Sequence, residues 1–519
     1  MENIFLNKVL KYYDITLQEY DELSIIPSSL SFLDEYNFDQ TSKASEIIKE
    51  HISKNKKILV YGDYDADGIM STSIMINCLK ELNGDCSWII PNRYLDGYGL
   101  NLIKAKELEP YFDLFITVDN GITCIDAINY LKNAGKTVIV LDHHEPLDIL
   151  PNADAIIHPN FSNFGSINSS AGYVCFLFSK ALLGRYDFYL GTLAAISTIS
   201  DAMPLKGQNH KLLKFIFNNY KNHRNQIIDL LCEGEEFEET TISMKVAPKI
   251  NSIGRIIEDK TVSNIVNAFV SKNNNEVKSY YDWITSINEI RKKESQEALY
   301  ETKNNNDFND KLIVVESKYK EGLIGLIASS LCAEFNKPVF VLHNNEGTIK
   351  CSARSPKGFD IINAFGACKD ILLTYGGHEN AGGCSFKECD IEKFKTLLNS
   401  VEYSFNSSPQ ENEKYIDLNV SEFLFENYDI VQSISPFGEE WKRPLLKLPK
   451  IRCSSLMYSK DLKHILSYVG QNKKIVGFNL PKAEMIKHLF VDFFGYFKIS
   501  SYLGRKTLEF NISYFNESE

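Results

Sequence analysis

Acidic residues alternate with neutral ones in Asp63-Tyr64-Asp65-Ala66-Asp67-Gly68, directly after the apolar run Ile58-Leu59-Val60-Tyr61. Two more apolar runs end in similar chemistry: Leu114-Phe115-Ile116-Thr117-Val118 leads into Asp119, and Thr137-Val138-Ile139-Val140-Leu141 leads into Asp142-His143-His144. If the first segment stays extended, the two-residue period of a strand puts Asp63, Asp65 and Asp67 on one face. Crowded carboxylates repel one another unless cations offset them. Acids mixed with imidazole suit Mn²⁺ or Mg²⁺ better than zinc, which in structural sites favours thiolate-rich sets. Two such ions bridged by one carboxylate activate water and clamp an in-line displacement at phosphorus, so the chemistry expected is that of a phosphoesterase.

A D-x-D-x-D-G run also opens an EF-hand calcium loop, but that loop needs a Glu at its twelfth position, where Ile74 stands, and a preceding helix, where a buried strand is expected. The three apolar runs are short, rich in β-branched residues and separated by helix-length stretches. They read as parallel strands covered on both faces by crossover helices. In such sheets the ligand site lies beyond the carboxyl ends of the strands, where each acidic cluster falls. A further acid, Asp201 in Ser200-Asp201-Ala202-Met203-Pro204-Leu205, follows another apolar segment. Alone it would be a helix cap or turn residue; in this company it is a fourth contributor.

At 519 residues and 44% hydrophobic content the chain can build three or four cored domains. No apolar run reaches the roughly 18 residues that would span a membrane, and the segment from Met1 to Lys8 lacks a signal peptide's layout, so a cytoplasmic protein is expected. The 11 cysteines include no C-x-x-C pair, which reads as reduced thiols with neither disulfides nor a zinc site. Net charge is −12, yet Lys442 to Phe510 hold fourteen Lys and Arg against four Asp and Glu. That asymmetry is the footprint of a nucleic-acid-binding module on an acidic body. The same region contains strand-like runs at 475–478, 489–494 and 508–515, consistent with a small basic barrel of the oligonucleotide-binding (OB) type, in which any single aromatic is expected in the core rather than on the surface.

These motifs resemble those of the DHH phosphoesterases, and among them the single-strand-specific exonucleases of the RecJ family. The similarity rests on V-Y-G-D-Y-D-A-D-G at 60–68, V-D-N-G at 118–121, L-D-H-H-E at 141–145 and S-D-A-M-P-L at 200–205. It continues through A-P-K-I-N-S-I-G-R at 247–255, S-A-R-S at 352–355 and G-G-H at 376–378, from about residue 50 to the end. Departures are Tyr319-Lys320-Glu321 before Gly322, Ser330, and Glu439-Glu440 after Gly438.

The resemblance implies an α/β fold: a parallel-sheet DHH domain at 51–230 after an N-terminal segment at 1–50, and a connector at 231–310 with a long helix over Lys278–Thr302. A second α/β, DHH-associated domain at 311–400 and an OB-like β-barrel at 401–519 complete it. It makes Asp65, Asp67, Asp119, His143 and Asp201 the ligands of two Mn²⁺ or Mg²⁺ ions, with Asp63 at the rim, His144 facing the scissile phosphate and Asp142 orienting an imidazole. Arg93 and Arg255 would contact the nucleic-acid backbone. Ser352 and Arg354, with the glycine cluster Gly376, Gly377 and His378, would bind phosphate, and Arg93, Ser352 and Arg354 are expected in turn-like segments. The implied activity is 5′-to-3′ exonucleolytic hydrolysis of single-stranded DNA in repair and recombination by a monomer, with a helicase or single-strand-binding protein as candidate partner. Its rivals are a phosphodiesterase of short oligonucleotides or cyclic dinucleotides, and a catalytically silent replication scaffold, which would have lost metal ligands.

Overall fold

The computed structural model describes residues 3–163, 168–306, 308–401, 414–502 and 505–518. Its contacts divide the chain into two units, one of Ser31–Met203 with Asn219–Ser407, the other of Met1–Leu30, Pro204–Asn218 and Ser408–Glu519. Both units are assembled from separated pieces of sequence, a grouping that a linear division into domains cannot express.

The larger unit holds two sheets. The first runs in the order β2-β1-β3-β4-β5, all parallel, with β1 at Ile58–Tyr61, β2 at Cys86–Ile89, β3 at Leu114–Val118, β4 at Thr137–Leu141 and β5 at Ala155–Ile157. The central strands are apolar along their whole length because helices cover both faces; β1 and β3 are buried at every position. Leu59, Tyr61, Phe115, Val138 and Val140 form one side's core with Ile122, Ile128 and Leu131. The connection from β1 runs to β2 on one side while β3 pairs on the other, so the topological switch point lies at β1 and β3.

The expected extended D-x-D-x-D segment is not extended. β1 stops at Tyr61, Asp65 caps a helix over Ala66–Glu81 by accepting the Gly68 N–H at 3.1 Å, and Asp67 stands in that helix's first turn. A cap competes well with strand geometry where an Asp precedes a helix, here one buried on nearly all sides.

Helices over Ala171–Leu183 and Phe188–Ser200 pack on Ala66–Glu81. A helical connector follows. It includes a π-helical turn at Ile242–Val246, the helix Ala247–Ile256 and a 32-residue helix Asn274–Asn305, which leads to the second sheet. That sheet has the order β6-β7-β8-β10-β9, with β6 at Ile313–Glu316, β7 at Val339–Asn345, β8 at Thr348–Arg354, β9 at Leu372–His378 and β10 at Ala381–Lys387. Only β6 and β7 are parallel. Its core is aromatic, with Phe386 stacked on Phe394 at 4.4 Å beside Phe340 and Phe365.

In the smaller unit a six-stranded sheet has the order β11-β12-β15-β16-β14-β13, with β11 at Tyr415–Asp417, β12 at Leu445–Arg452, β13 at Ile465–Gly470, β14 at Lys473–Gly477, β15 at Phe490–Tyr502 and β16 at Arg505–Glu517. Phe493, Phe497 and Phe510 fill its core, whereas Tyr468 and Phe478 are exposed. Helices Ile4–Tyr13 and Leu17–Ser24 belong to this unit: Lys8 pairs with Glu422 at 2.7 Å and Tyr13 stacks on Trp441 at 4.4 Å. Among the described residues no helix is long and apolar enough to cross a membrane.

Candidate metal centre and anion pocket

Asn120 ties the switch point together. Its buried amide donates to the carbonyls of Gly62 at 3.0 Å and Val118 at 2.9 Å, which fixes the ends of β1 and β3 side by side. Asp63 leaves β1 and Asp119 leaves β3 at this point, both 3% exposed. Asp119 adopts φ 60° and Ala202, beside Asp201, φ 51°. Left-handed backbone at non-glycine residues is costly and concentrates at functional sites.

Asp67 is held from three directions. Its carboxylate accepts the N–H groups of Ala171 and Gly172, each at 2.8 Å, at the start of helix Ala171–Leu183, and the Ser197 hydroxyl at 2.5 Å. A helix N-terminus favours such an anion. Gly172 is required by the approach of the next helix, since a Cβ there would lie 2.4 Å from Ser197 Oγ.

Three overlapping groups could each hold a cation: Asp63, Asp65 and Asp119; Asp67, His143 and Asp201; and Asp119, His143 and His144, with each group's ligand atoms within 4.8 Å of one another. His143 Nε2 lies 3.2 Å from Asp119, 3.6 Å from Asp67 and 3.7 Å from Asp201. Asp63 is buried and belongs to one of these candidate groups. Burial, then the neighbouring carboxylates, push the carboxyls of Asp63, Asp65 and Asp119 above the usual range, and that of Asp201 up to about 9. Asp63 Oδ1 and Asp201 Oδ2 are buried without a hydrogen-bond partner. Buried oxygens left unpaired in a crowd of acids fit hard divalent cations.

His144, a member of the third group, is also held from outside it. Burial opposes its charge, but the hydrogen bond from Nδ1 to Asp142 at 2.8 Å prevails and raises it to about 9. Asp142 is fully buried, which would raise its carboxyl; the His144 hydrogen bond and charge and the Ile122 N–H bring it down to about 2 instead. Asp142 thus orients His144, while the Tyr98 hydroxyl lies 3.1 Å from His144 Nδ1.

Arg93, Arg255 and Arg354 gather with Arg291. Burial lowers Arg255 to about 10, and Arg93, Arg291 and Arg354 add repulsion. None of the four forms an ion pair among the described residues; their hydrogen bonds go to neutral oxygens, those of Gly254, Gly322, Asn288, Ser352 and Ala353. Arg255 and Arg291, with Ser200 and Asn251, line a cleft of about 290 Å³. Arg93 lies in the loop after β2, its guanidinium 4.1 Å from the centre of the Tyr64 ring. Arg255 is on helix Ala247–Ile256, whose Gly254 packs so closely on Tyr64 that a Cβ would lie 2.2 Å from its carbonyl oxygen. Ser352 and Arg354, however, are on β8, not in a turn, and Gly376, Gly377 and His378 are exposed on edge strand β9. The cause is that β8 and β10 pair directly, Arg354 opposite Ala381, and β10 carries β9 along.

Tyr98, Asn120, Ser197, Asn251 and Arg291 went unassigned in the sequence. Tyr98 had a local signal, since Gly97 and Gly99 on either side both take positive φ; the others act through contacts that no local pattern reveals.

Residues 57–197 match the DHH family N-terminal domain, residues 309–406 the DHHA1 domain and residues 416–514 the RecJ OB domain. The single-stranded-DNA-specific exonuclease RecJ of Bacillus subtilis is 32% identical over 431 residues, 78% of this chain and 54% of that protein, so the chain spans about half that relative's length. RecJ of Haemophilus influenzae is 27% identical over 442 residues, covering 78% of this chain and 76% of the relative. The crystal structure of RecJ in complex with Mn²⁺ from Thermus thermophilus superposes with a TM-score of 0.82 at 22% identity, over 99% of this chain and 76% of that one. A RecJ exonuclease bound to manganese superposes with 0.60 at 28% identity, over 70% and 94%.

Proposed function

The chain belongs to the RecJ family of the DHH superfamily, and on that footing we propose that it is a metal-dependent exonuclease that removes nucleotides from the 5′ end of single-stranded DNA in repair and recombination. The observation that carries this reading is the acid and imidazole cluster at the switch point, with Asp119 and His143 each shared between candidate ligand groups. Asp63, Asp65 and Asp119 would hold one ion, and Asp67, His143 and Asp201 the other. Two Mn²⁺ or Mg²⁺ ions there supply water activation and charge neutralisation at phosphorus.

The chain's own groups do the rest. His144, kept charged by Asp142, faces the scissile phosphate as a donor. Arg354, Arg255 and Arg93, with Ser352, supply the anion pocket for a terminal 5′ phosphate, which sets the first phosphodiester at the metal centre. Gly376, Gly377 and His378 are assigned to strand contact. The basic OB-type unit supports long single strands over dinucleotides, and the intact ligand set speaks against a silent scaffold. A monomer in the cytoplasm, fed by a helicase or a single-strand-binding protein, completes the proposal.

The test uses end-labelled single-stranded DNA, single-stranded RNA and a dinucleotide, each with Mn²⁺, and matched strands with 5′ phosphate or 5′ hydroxyl. DNA should be degraded from its 5′ end fastest. Arg354→Ala, and more mildly Arg93→Ala, should narrow the advantage of the 5′-phosphorylated strand. Equal losses on both strands would assign these arginines to the internal backbone instead.

A further inference from the structure

Edge strand β5 brackets the Asp142-His143-His144 segment at both ends. The carbonyl of Ile157, its last residue, accepts the Asp142 N–H at 3.1 Å, and His158, the next residue, reaches the His144 carbonyl through Nε2 at 2.8 Å. The tautomer of His158 is fixed by its partners. Nδ1 accepts the Asn160 N–H at 3.1 Å, so the proton is on Nε2 and that nitrogen donates. The ring is 1% exposed and lies 5.6 Å from the Phe161 ring, so it is held by packing as well. On its other side His144 is held by hydrogen bonds to the Asp142 carboxylate and the Tyr98 hydroxyl.

We propose that His158 is a positioning residue for the phosphate-facing imidazole: by clamping the His144 carbonyl to edge strand β5, it sets the height of the His144 ring over the metal centre. The inference rests on the phosphodiesterase reading above. A backbone clamp of this kind acts on a catalytic side chain much as outer hydrogen bonds act on metal-bound histidines, where their loss costs about 10–100-fold. Both ends of the three consecutive residues Asp142, His143 and His144 are thereby tied to the end of β5 and the residue that follows it.

Two substitutions separate the two hydrogen bonds of His158. His158→Asn keeps a group at the Nδ1 position for the Asn160 N–H and loses the donor toward His144. His158→Gln keeps a donor at the Nε2 position. The expected result is that Asn lowers kcat about 10–100-fold with little change in KM, Mn²⁺ affinity by calorimetry or thermal midpoint, whereas Gln restores most of kcat. The His144 ring signals in a histidine-labelled NMR spectrum should shift in the Asn variant and not in the Gln variant. Full activity in the Asn variant, or equal losses in both that follow the melting temperature, would overturn the proposal. A wild type that hydrolyses no strand in Mn²⁺ would sink the exonuclease reading instead, and the NMR comparison would still decide the role of His158.

Discussion

Asp119 carries more of this site than a single ligand would, because its carboxylate belongs to two candidate ligand groups while its backbone holds φ 60°. Asp119→Asn matches the shape of the side chain and removes its charge. The expected outcome is a fall in turnover of about 100-fold or more. The metal-free protein should melt at the same temperature or higher, because one of the mutually repelling buried carboxylates is gone. Wild type should gain about 2.7 kcal/mol of stability at a Mn²⁺ concentration of 100 times Kd, and the variant should lose most of that gain. Melting with and without Mn²⁺ checks it; a variant still stabilised like wild type would remove Asp119 from the ligand set. At this scale the sequence was informative where chemistry is local: acids and histidines just beyond apolar runs name themselves. It was silent on His158, Ser197 and Asn251, whose work is done by hydrogen bonds to residues 14, 130 and 185 positions away.

The elements explain why acids separated by more than a hundred residues meet. Parallel strands end at one edge, and each crossover returns the chain to it, so Asp63, Asp119 and Asp142 converge without any of them seeking the others. Asp67 depends instead on helix packing, since helix Ala171–Leu183 must come close enough to present two N–H groups. Gly172→Ala tests that dependence. Its Cβ would meet Ser197 Oγ at 2.4 Å, in buried surroundings, and the helices would have to part. We expect a loss of about 1–3 kcal/mol in urea unfolding, as for other overpacked sites, together with weaker Mn²⁺ binding because Asp67 loses its donors. Normal metal affinity in a destabilised variant would show that Asp67 is placed without that helix. The strand runs were legible from their β-branched composition, but the helix start at Asp65 was not, because alternation of acids fits a strand and a capped helix equally well. Likewise a glycine-rich run such as Tyr375–Gly377 reads as a turn until its cross-strand partners Cys384–Gly382 are known.

On the scale of the whole molecule, the basic C-terminal region was legible from charge, yet its companions were not. Residues 1–30 and 204–218 join it, and a sequence read from end to end places them with the catalytic domain or in a separate segment. Within this unit Glu440 pairs with Lys206 at 3.0 Å, and the Glu439 carbonyl accepts the Leu205 N–H at 2.9 Å. The departure from the family's pattern at Glu439-Glu440 is thus built into a local contact. His210 lies at the centre of the unit: 2% exposed, its Nε2 donates to the Ile434 carbonyl at 3.1 Å, and its ring lies edge-on 6.3 Å from that of Trp441.

Burial, then nearby Lys214 and Lys211, outweigh the hydrogen bond to Ile434 and lower His210 to about 4. The unfolded chain binds a proton at about 6.5, so the contribution of neutral His210 is fully present above that pH. It is lost as pH falls toward 4 and is constant below it, a total of up to about 3 kcal/mol. His210→Gln keeps a donor for Ile434 and cannot be protonated. The variant should be slightly less stable than wild type at pH 8, and the difference should shrink or reverse by pH 5, when urea unfolding is followed by Trp441 fluorescence with Trp88 and Trp283 replaced by Phe. Parallel stability curves for the two proteins across that interval would show that His210 does not govern the acid sensitivity of this unit.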